Sequence, residues 1–193
     1  MRVKKSLIVA VLILLFAGNV YPFERYNRVS KFDNYFSKYS KRYFGPGMDW
    51  RIFKAQAVAE SRLKANANSY VGAKGVMQIM PKTFDEIQQK NPMIRGTREQ
   101  PRWNIAAGIW YDKSIWNIFT AKRPFQDRID FMMGAYNAGK GNVLKAQTKA
   151  LKKGLDPNLW GSIEITLPDV TGRHSKETIG YVGKIKHIKE VLK

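Results

Sequence analysis

Residues 55–61 read Ala55-Gln56-Ala57-Val58-Ala59-Glu60-Ser61, and residues 75–81 read Gly75-Val76-Met77-Gln78-Ile79-Met80-Pro81. The first segment ends an amphipathic stretch on a single carboxylic acid. Asp49 suits the N-cap of a helix running to about Leu63, on which Phe53, Gln56, Ala57 and Glu60 share a face. Residues 66–76 carry turn chemistry with room for a small hairpin, and Pro81 to Lys90 reads as a helix that opens on proline. The sequence therefore predicts a polar loop framed by two helices, with Glu60 at its edge.

The rest of the chain is predicted mostly helical. Between Tyr26 and Phe44 aromatic and basic residues alternate, and Phe32, Tyr35, Phe36, Tyr39 and Tyr43 recur at spacings of three and four. That spacing predicts one buried helical face more readily than a platform for nucleic-acid bases. Gly45-Pro46-Gly47 ends this helix. Ile105, Ile109, Trp116 and Phe119 mark a further helix, expected to open at Asn104. Ile129, Met132, Met133 and Tyr136 mark another that stops at Gly139. Asn142 is expected to cap a basic helix to about Lys153, and residues 154–173 to form a surface excursion. A last helix opens at Ser175-Lys176-Glu177-Thr178 and buries Ile179, Val182, Ile185, Ile188 and Leu192.

With 193 residues and 44% hydrophobic composition, the chain suits one well-buried core. Met1 to Lys5 is basic and Leu7 to Ala17 is apolar, the pattern of a secretory signal or an N-terminal membrane anchor. The expected organisation is a leader over 1–22, an N-terminal helical extension over 23–47 and a catalytic domain over 48–193. Cysteine is absent, which excludes a disulfide framework and a thiol nucleophile. His174 and His187 lack zinc-motif spacing, so neither a metal nor an organic cofactor is expected. The net charge is +19, and loss of Arg2, Lys4 and Lys5 with a leader would leave it at +16. Such a surface attracts polyanions, which for an exported protein means wall polymers and acidic lipid headgroups. A nucleic-acid partner conflicts with the leader.

Glu60 has the setting of a proton donor. An acid that protonates a leaving oxygen near neutral pH needs an apolar setting to stay protonated. Alanines, Val58 and Phe53 supply it, and the negative end of the helix also favours the neutral acid. The ordinary alternative is a surface glutamate paired with Lys64 four residues on. Three further groups weigh against that alternative: the loop from Ser69 to Gln78, the segment Ala135-Tyr136-Asn137-Ala138-Gly139, and Glu177-Thr178 with Tyr181.

Taken in order, Glu60-Ser61, Gly75-Val76-Met77-Gln78, Ala135 to Gly139 and Glu177-Thr178 with Tyr181 give the chain its likeness. Over roughly residues 45–190 it resembles the soluble lytic transglycosylase catalytic domain, a goose-type-lysozyme-like fold that cleaves bacterial peptidoglycan. The family has leucine where Val76 stands. The resemblance implies that Glu60 is the sole catalytic acid and base. It implies that Ser69 holds that carboxyl or a substrate acetamido group, and that Met77 and Gln78 line the muramic-acid subsite. Tyr136 and Asn137 would form the opposite wall, with Glu177 and Tyr181 reaching the groove from the last helix.

The activity so implied is a lyase in which the muramic C6 hydroxyl displaces N-acetylglucosamine and leaves a 1,6-anhydro end. A lysozyme-like hydrolase on the same fold and a non-catalytic cationic envelope-binding protein are the alternatives. The implied partners are glycan strands of the wall in the periplasm or cell envelope. An assembly of secretion, conjugation or phage type would be served by local opening of the wall, and the N-terminal segment would supply any membrane association.

Overall fold

The computed structural model describes residues 23–193; the predicted leader lies outside them. Nine α-helices make up the domain among these residues: α1 Asp33–Phe44, α2 Arg51–Ser61, α3 Pro81–Lys90, α4 Pro101–Trp116, α5 Phe125–Ala138, α6 Lys140–Lys152, α7 Trp160–Thr166, α8 Pro168–Thr171 and α9 Ser175–Val191. Short 3-10 turns lie at Glu24–Arg28 and Gly172–His174. The described residues include no extended strand. Two isolated bridges, Asn68 with Lys74 and Lys74 with Ile79, stand where the small hairpin is expected.

Helix α2 is the axis of the domain. Ile52, Phe53, Ala55, Gln56, Ala57 and Val58 are all buried, so the helix is enclosed on more than its apolar face. Its alanines allow close approach, and α9 runs along one side while α1 covers another. The N-cap position of α2 falls on Trp50, one residue after the expected Asp49, whose Oδ1 accepts the Arg51 N–H at 3.0 Å. At its other end Arg62 and Leu63 both adopt left-handed φ, at 56° and 59°. Each such residue costs about 1–2 kcal/mol, offset here by two capping bonds, Arg62 N–H to Val58 O and Leu63 N–H to Ala57 O. The chain thus reverses immediately after Glu60-Ser61, and the carboxylate is left at a helix tip.

The aromatic face of α1 is core. Phe32, Phe36 and Tyr39 are buried, and the helix stops at Gly45 with φ 91°. Arg102 Nε of α4 donates to the Tyr39 hydroxyl at 3.1 Å, and the buried Lys54 of α2 pairs with Asp33 at 2.9 Å. The two ends of the described residues are joined: Asn27 Nδ2 donates to Val191 O at 2.9 Å, and its Oδ1 accepts the Lys193 N–H at 2.8 Å.

Three expectations from sequence need correction. Helix α4 opens at Pro101, not at Asn104, because proline suits the first turn; Asn104 lies inside the helix and is wholly buried. Helix α6 begins at Lys140 directly after Gly139. Asn142 instead sends its amide back to Ala138 O at 2.8 Å, joining two helices. Residues 154–173 are not a surface excursion. They contain α7 and α8, and Trp160, Ile163 and Leu167 are buried. Their spacing of three and four is helical, but Pro157, Gly161, Pro168 and Gly172 hide it in a window of ordinary length. The Trp160 ring stands edge-on to Phe131 at 5.6 Å, over Gly134. A Cβ on Gly134 would lie 2.1 Å from that ring, so glycine is what admits it.

Candidate active site

The ends of α2 and α5, the side of α9 and one loop meet at Glu60. The carboxylate stands in the last turn of α2, partly open to solvent, and its Oε1 accepts a hydrogen bond of 2.5 Å from the Tyr181 hydroxyl of α9. No ion pair to Lys64 forms among the described residues, since the helix has already ended there. Burial pushes the Glu60 carboxyl up to about 7; the Tyr181 hydrogen bond and the Lys184 charge pull against this, while Glu177 adds to it. Lys184 also donates to Ala59 O at 3.1 Å, so its ammonium caps the end of α2. At neutral pH Glu60 is therefore divided between acid and base, the condition a group needs to serve as both.

The loop is held open by buried polar contacts. Ser61 Oγ lies 2.7 Å from Val76 O, which ties the end of α2 to the loop. Asn104 reaches from α4: its Oδ1 accepts the Met77 N–H at 2.7 Å, and its Nδ2 donates to Lys74 O at 2.9 Å and Arg98 O at 2.8 Å. Gly75 has φ 79°, and a Cβ there would sit 2.5 Å from Asn104 Nδ2. Glycine is required twice at this position, by conformation and by space.

On the opposite side, the Tyr136 hydroxyl of α5 donates to Met77 O at 2.8 Å, and Tyr111 of α4 stands edge-on to its ring at 5.4 Å. Burial first, and the Glu60 charge second, push both Tyr136 and Tyr181 well above the usual phenol range. Both phenols stay protonated and act as donors. Asn137 is exposed, and its Oδ1 accepts from the Thr178 hydroxyl at 2.7 Å, joining α5 to α9. A cleft of about 390 Å³ opens there, lined by Asn137, Asn142, Thr171, His174, Glu177 and Thr178.

The structure unites Glu60, Tyr181, Tyr136 and the Met77 backbone around one opening, and sets Asn137 and the exposed Glu177 beside it. Ser69 Oγ accepts the Ala73 N–H at 2.9 Å, and Gln78, with φ 49°, spends its amide N–H groups on Gly75 O and Ala67 O. No hydrogen bond joins either residue to Glu60 among the described residues. Met77 departs from expectation: its side chain has no exposed surface and packs against Gly108 of α4. It therefore cannot line a subsite with its thioether, and its contribution runs through its backbone.

Sequence reading missed Asn104, Lys184 and a buried pair, Gln56 with Asp112, whose Nε2 to Oδ1 distance is 3.2 Å. Only Gln56 carried a signal, through its place one turn before Glu60. A cavity of about 500 Å³ opens at the far end of α2 between Ile52, Ile129, Met133 and Val182. Asp49 and Asp130 there are paired with Lys189 and Lys186, and the third acid, Glu190, is exposed, unlike the partly buried Glu60. Among the described residues no three His, Asp or Glu side chains gather as a metal-holding set.

The family model of the transglycosylase SLT domain matches residues 34–158. The chain belongs to this family. The matched span of this SLT domain includes Glu60-Ser61, the loop and Tyr136-Asn137, and stops before Glu177 and Tyr181. Membrane-bound lytic murein transglycosylase F of Desulfosudis oleivorans is 31% identical over 172 residues, covering 86% of this chain and 36% of that protein. The protein of the same name from Shewanella pealeana is 31% identical over 157 residues, covering 80% of this chain and 30% of its own length. The SLT domain chain thus spans about a third of the curated relatives it matches. Among solved structures, the 70 kDa soluble lytic transglycosylase from Escherichia coli aligns with a TM-score of 0.62 at 25% identity, over 84% of this chain and 24% of that one. Lytic transglycosylase Slt from Pseudomonas aeruginosa aligns with a TM-score of 0.65 at 24% identity, over 83% and 23%. The fold is mostly helical and lysozyme-like, as the sequence predicts.

Proposed function

We propose that this domain is a peptidoglycan lytic transglycosylase and that Glu60 is its single acid and base. The observation that carries the reading is one partly buried carboxyl, poised at about 7, whose Oε1 is fixed by the Tyr181 hydroxyl while Oε2 stays available. The names of the relatives and the family match support the same class.

In this reading Oε2–H donates its proton to the oxygen between N-acetylmuramic acid and N-acetylglucosamine as the bond to C1 breaks. The resulting carboxylate then takes the proton of the muramic C6 hydroxyl, whose oxygen closes on C1. Glu60 ends protonated and no water is consumed. The Tyr181 donor favours the carboxylate that appears midway, and Lys184 adds a cation at the helix end. Ordinary glycosidases place a second carboxylate across the bond. Here Glu60 is the one carboxylate, among the described residues, that another site residue holds by a hydrogen bond. Exposed Glu177 suits substrate binding with Asn137, while Tyr136 and the Met77 backbone shape the wall. Ser69 and Gln78 present the loop, and their remaining oxygen acceptors face sugar hydroxyl and amide groups.

The wider reading keeps residues 1–22 as a signal or anchor, 23–47 as a helical extension and 48–193 as the catalytic domain. It places the protein in the periplasm or envelope. No helix of the described residues is long and apolar enough to cross a membrane, so any anchorage is assigned to the leader. Local wall opening would serve remodelling or passage of a secretion, conjugation or phage-type assembly. Mass spectrometry of muropeptides released from purified sacculi tests the activity. Products ending in 1,6-anhydromuramic acid are expected. Reducing ends would mean a hydrolase, and binding without release a non-catalytic envelope protein.

A further inference from the structure

Behind Glu60 lies a second carboxyl that the mechanism does not use. Asp112 of α4 has no exposed surface, and neither has Gln56, one turn before Glu60 on α2. Gln56 Nε2 donates to Asp112 Oδ1 at 3.2 Å, yet the two remaining polar atoms, Gln56 Oε1 and Asp112 Oδ2, are buried without any partner. Two buried acceptors without a donor, one on each member of a pair already joined by its other atoms, are a costly arrangement for an ionised acid. A single proton on Oδ2 satisfies both, because Oδ2–H can then donate to Oε1. No Lys, Arg or His pairs with Asp112 among the described residues. The titratable groups that face it are Glu60 from α2, its neighbour Tyr111, Tyr136 from α5 and Tyr181 from α9, with Glu86 of α3 acting on Tyr111. All are acids or phenols.

We propose that Asp112 is a neutral carboxylic acid locked in a reciprocal two-bond pair with Gln56, and that this pair is a positioning element holding the turn of α2 that carries Glu60. Burial pushes the Asp112 carboxyl upward, and the Glu60 charge adds to it, in the same direction. A neutral Asp112 keeps a second negative charge from Glu60, which would otherwise be driven beyond the range where it can act as a base. Asp112 cannot reach substrate, so it is not a second catalytic carboxylate. The part concerning Glu60 rests on the proposed lyase reading; the protonation of Asp112 does not.

The test compares the full chain with Asp112→Asn, whose amide can make the same two bonds. A native acid that is neutral must gain a proton on folding above about pH 4. The folding constant of Asp112→Asn relative to the parent is therefore expected to rise about tenfold per pH unit between pH 5 and 7. A ratio constant across that range means an ionised Asp112 and overturns the proposal. Infrared spectra of the parent labelled with ¹³C-aspartate need no variant: a protonated-acid carbonyl band at pH 7 is expected, and its absence is equally decisive against. On sacculi, Asp112→Ala is expected to lower kcat roughly 10- to 100-fold with KM little changed, and Asp112→Asn to restore it with the half-point of the pH profile unmoved. An Ala variant with parental kcat would remove the positioning role. An inactive parent would sink the lyase reading and leave the two protonation measurements standing.

Discussion

The Tyr181 hydroxyl lies 2.5 Å from Glu60 Oε1 across 121 residues of chain, and this contact joins the last helix to the tip of the central one. It pulls the carboxyl down against burial that pushes it up, and the balance falls at about 7. Tyr181→Phe removes only the downward pull. Hydrogen bonds to a charged group contribute about 1.5–3 kcal/mol, which corresponds to an upward move of roughly one to two pH units. Turnover of the parent is expected to fall as pH rises through about 7, where the acid form is lost. In Tyr181→Phe that limb shifts to higher pH and the maximal rate falls. An unshifted pH–rate profile would show that the phenol does not act on Glu60.

The same carboxyl gives stability a direction with pH. Its folded value lies above its unfolded one, so the contribution of neutral Glu60 is fully present below about pH 4.5 and is lost as pH rises through about 7. Glu60→Gln escapes the loss. It is expected to match the parent near pH 4 and to exceed it at pH 8 by on the order of 2–3 kcal/mol, discounted for the solvent-reachable tip. Denaturant titrations at the two pH values check this. A constant difference would mean an ordinary, ionised surface glutamate.

Asn104→Ala strips three hydrogen bonds from the loop at once and leaves Lys74 O, Arg98 O and the Met77 N–H without their partner. At about 1–3 kcal/mol for each buried group left bare, a loss of roughly 3–6 kcal/mol is expected once partial relaxation is allowed. Activity should fall further than stability explains at low temperature, because the Met77 carbonyl that receives Tyr136 moves with the loop. Urea unfolding beside sacculus release separates the two effects.

Trp160→Ala addresses the segment that turned out to be core. Its ring fills the space over Gly134 and meets Phe131, and removal is expected to cost about 3–5 kcal/mol. A change below about 1 kcal/mol would return residues 154–173 to the status of a surface excursion.

These contrasts show where sequence was informative. The ends of α1 at Gly45, α3 at Pro81 and α5 at Gly139 were legible because proline and positive-φ glycine have local causes. Glu60, Tyr136 and Tyr181 could be singled out because their residue types and order are specific. What connects them was not legible. Asn104 reads as a cap from its neighbours, and only the folded packing of α4 against the loop gives its amide three partners. Met77 reads equally as a subsite or as core; the close approach of Gly108 decides it. Lys184 and Asp112 lie on exposed-looking or neutral stretches, and their roles arise from contacts between helices far apart in the chain.

The central claim is that Glu60 alone moves both protons and that the C6 hydroxyl, not water, attacks. Digestion of purified sacculi in ¹⁸O-water, by the parent and by Glu60→Gln in parallel, reads both at once. The expected result is 1,6-anhydromuramoyl ends free of ¹⁸O from the parent and no released product from a folded Glu60→Gln. Reducing ends carrying ¹⁸O, or undiminished release by the variant, would contradict it.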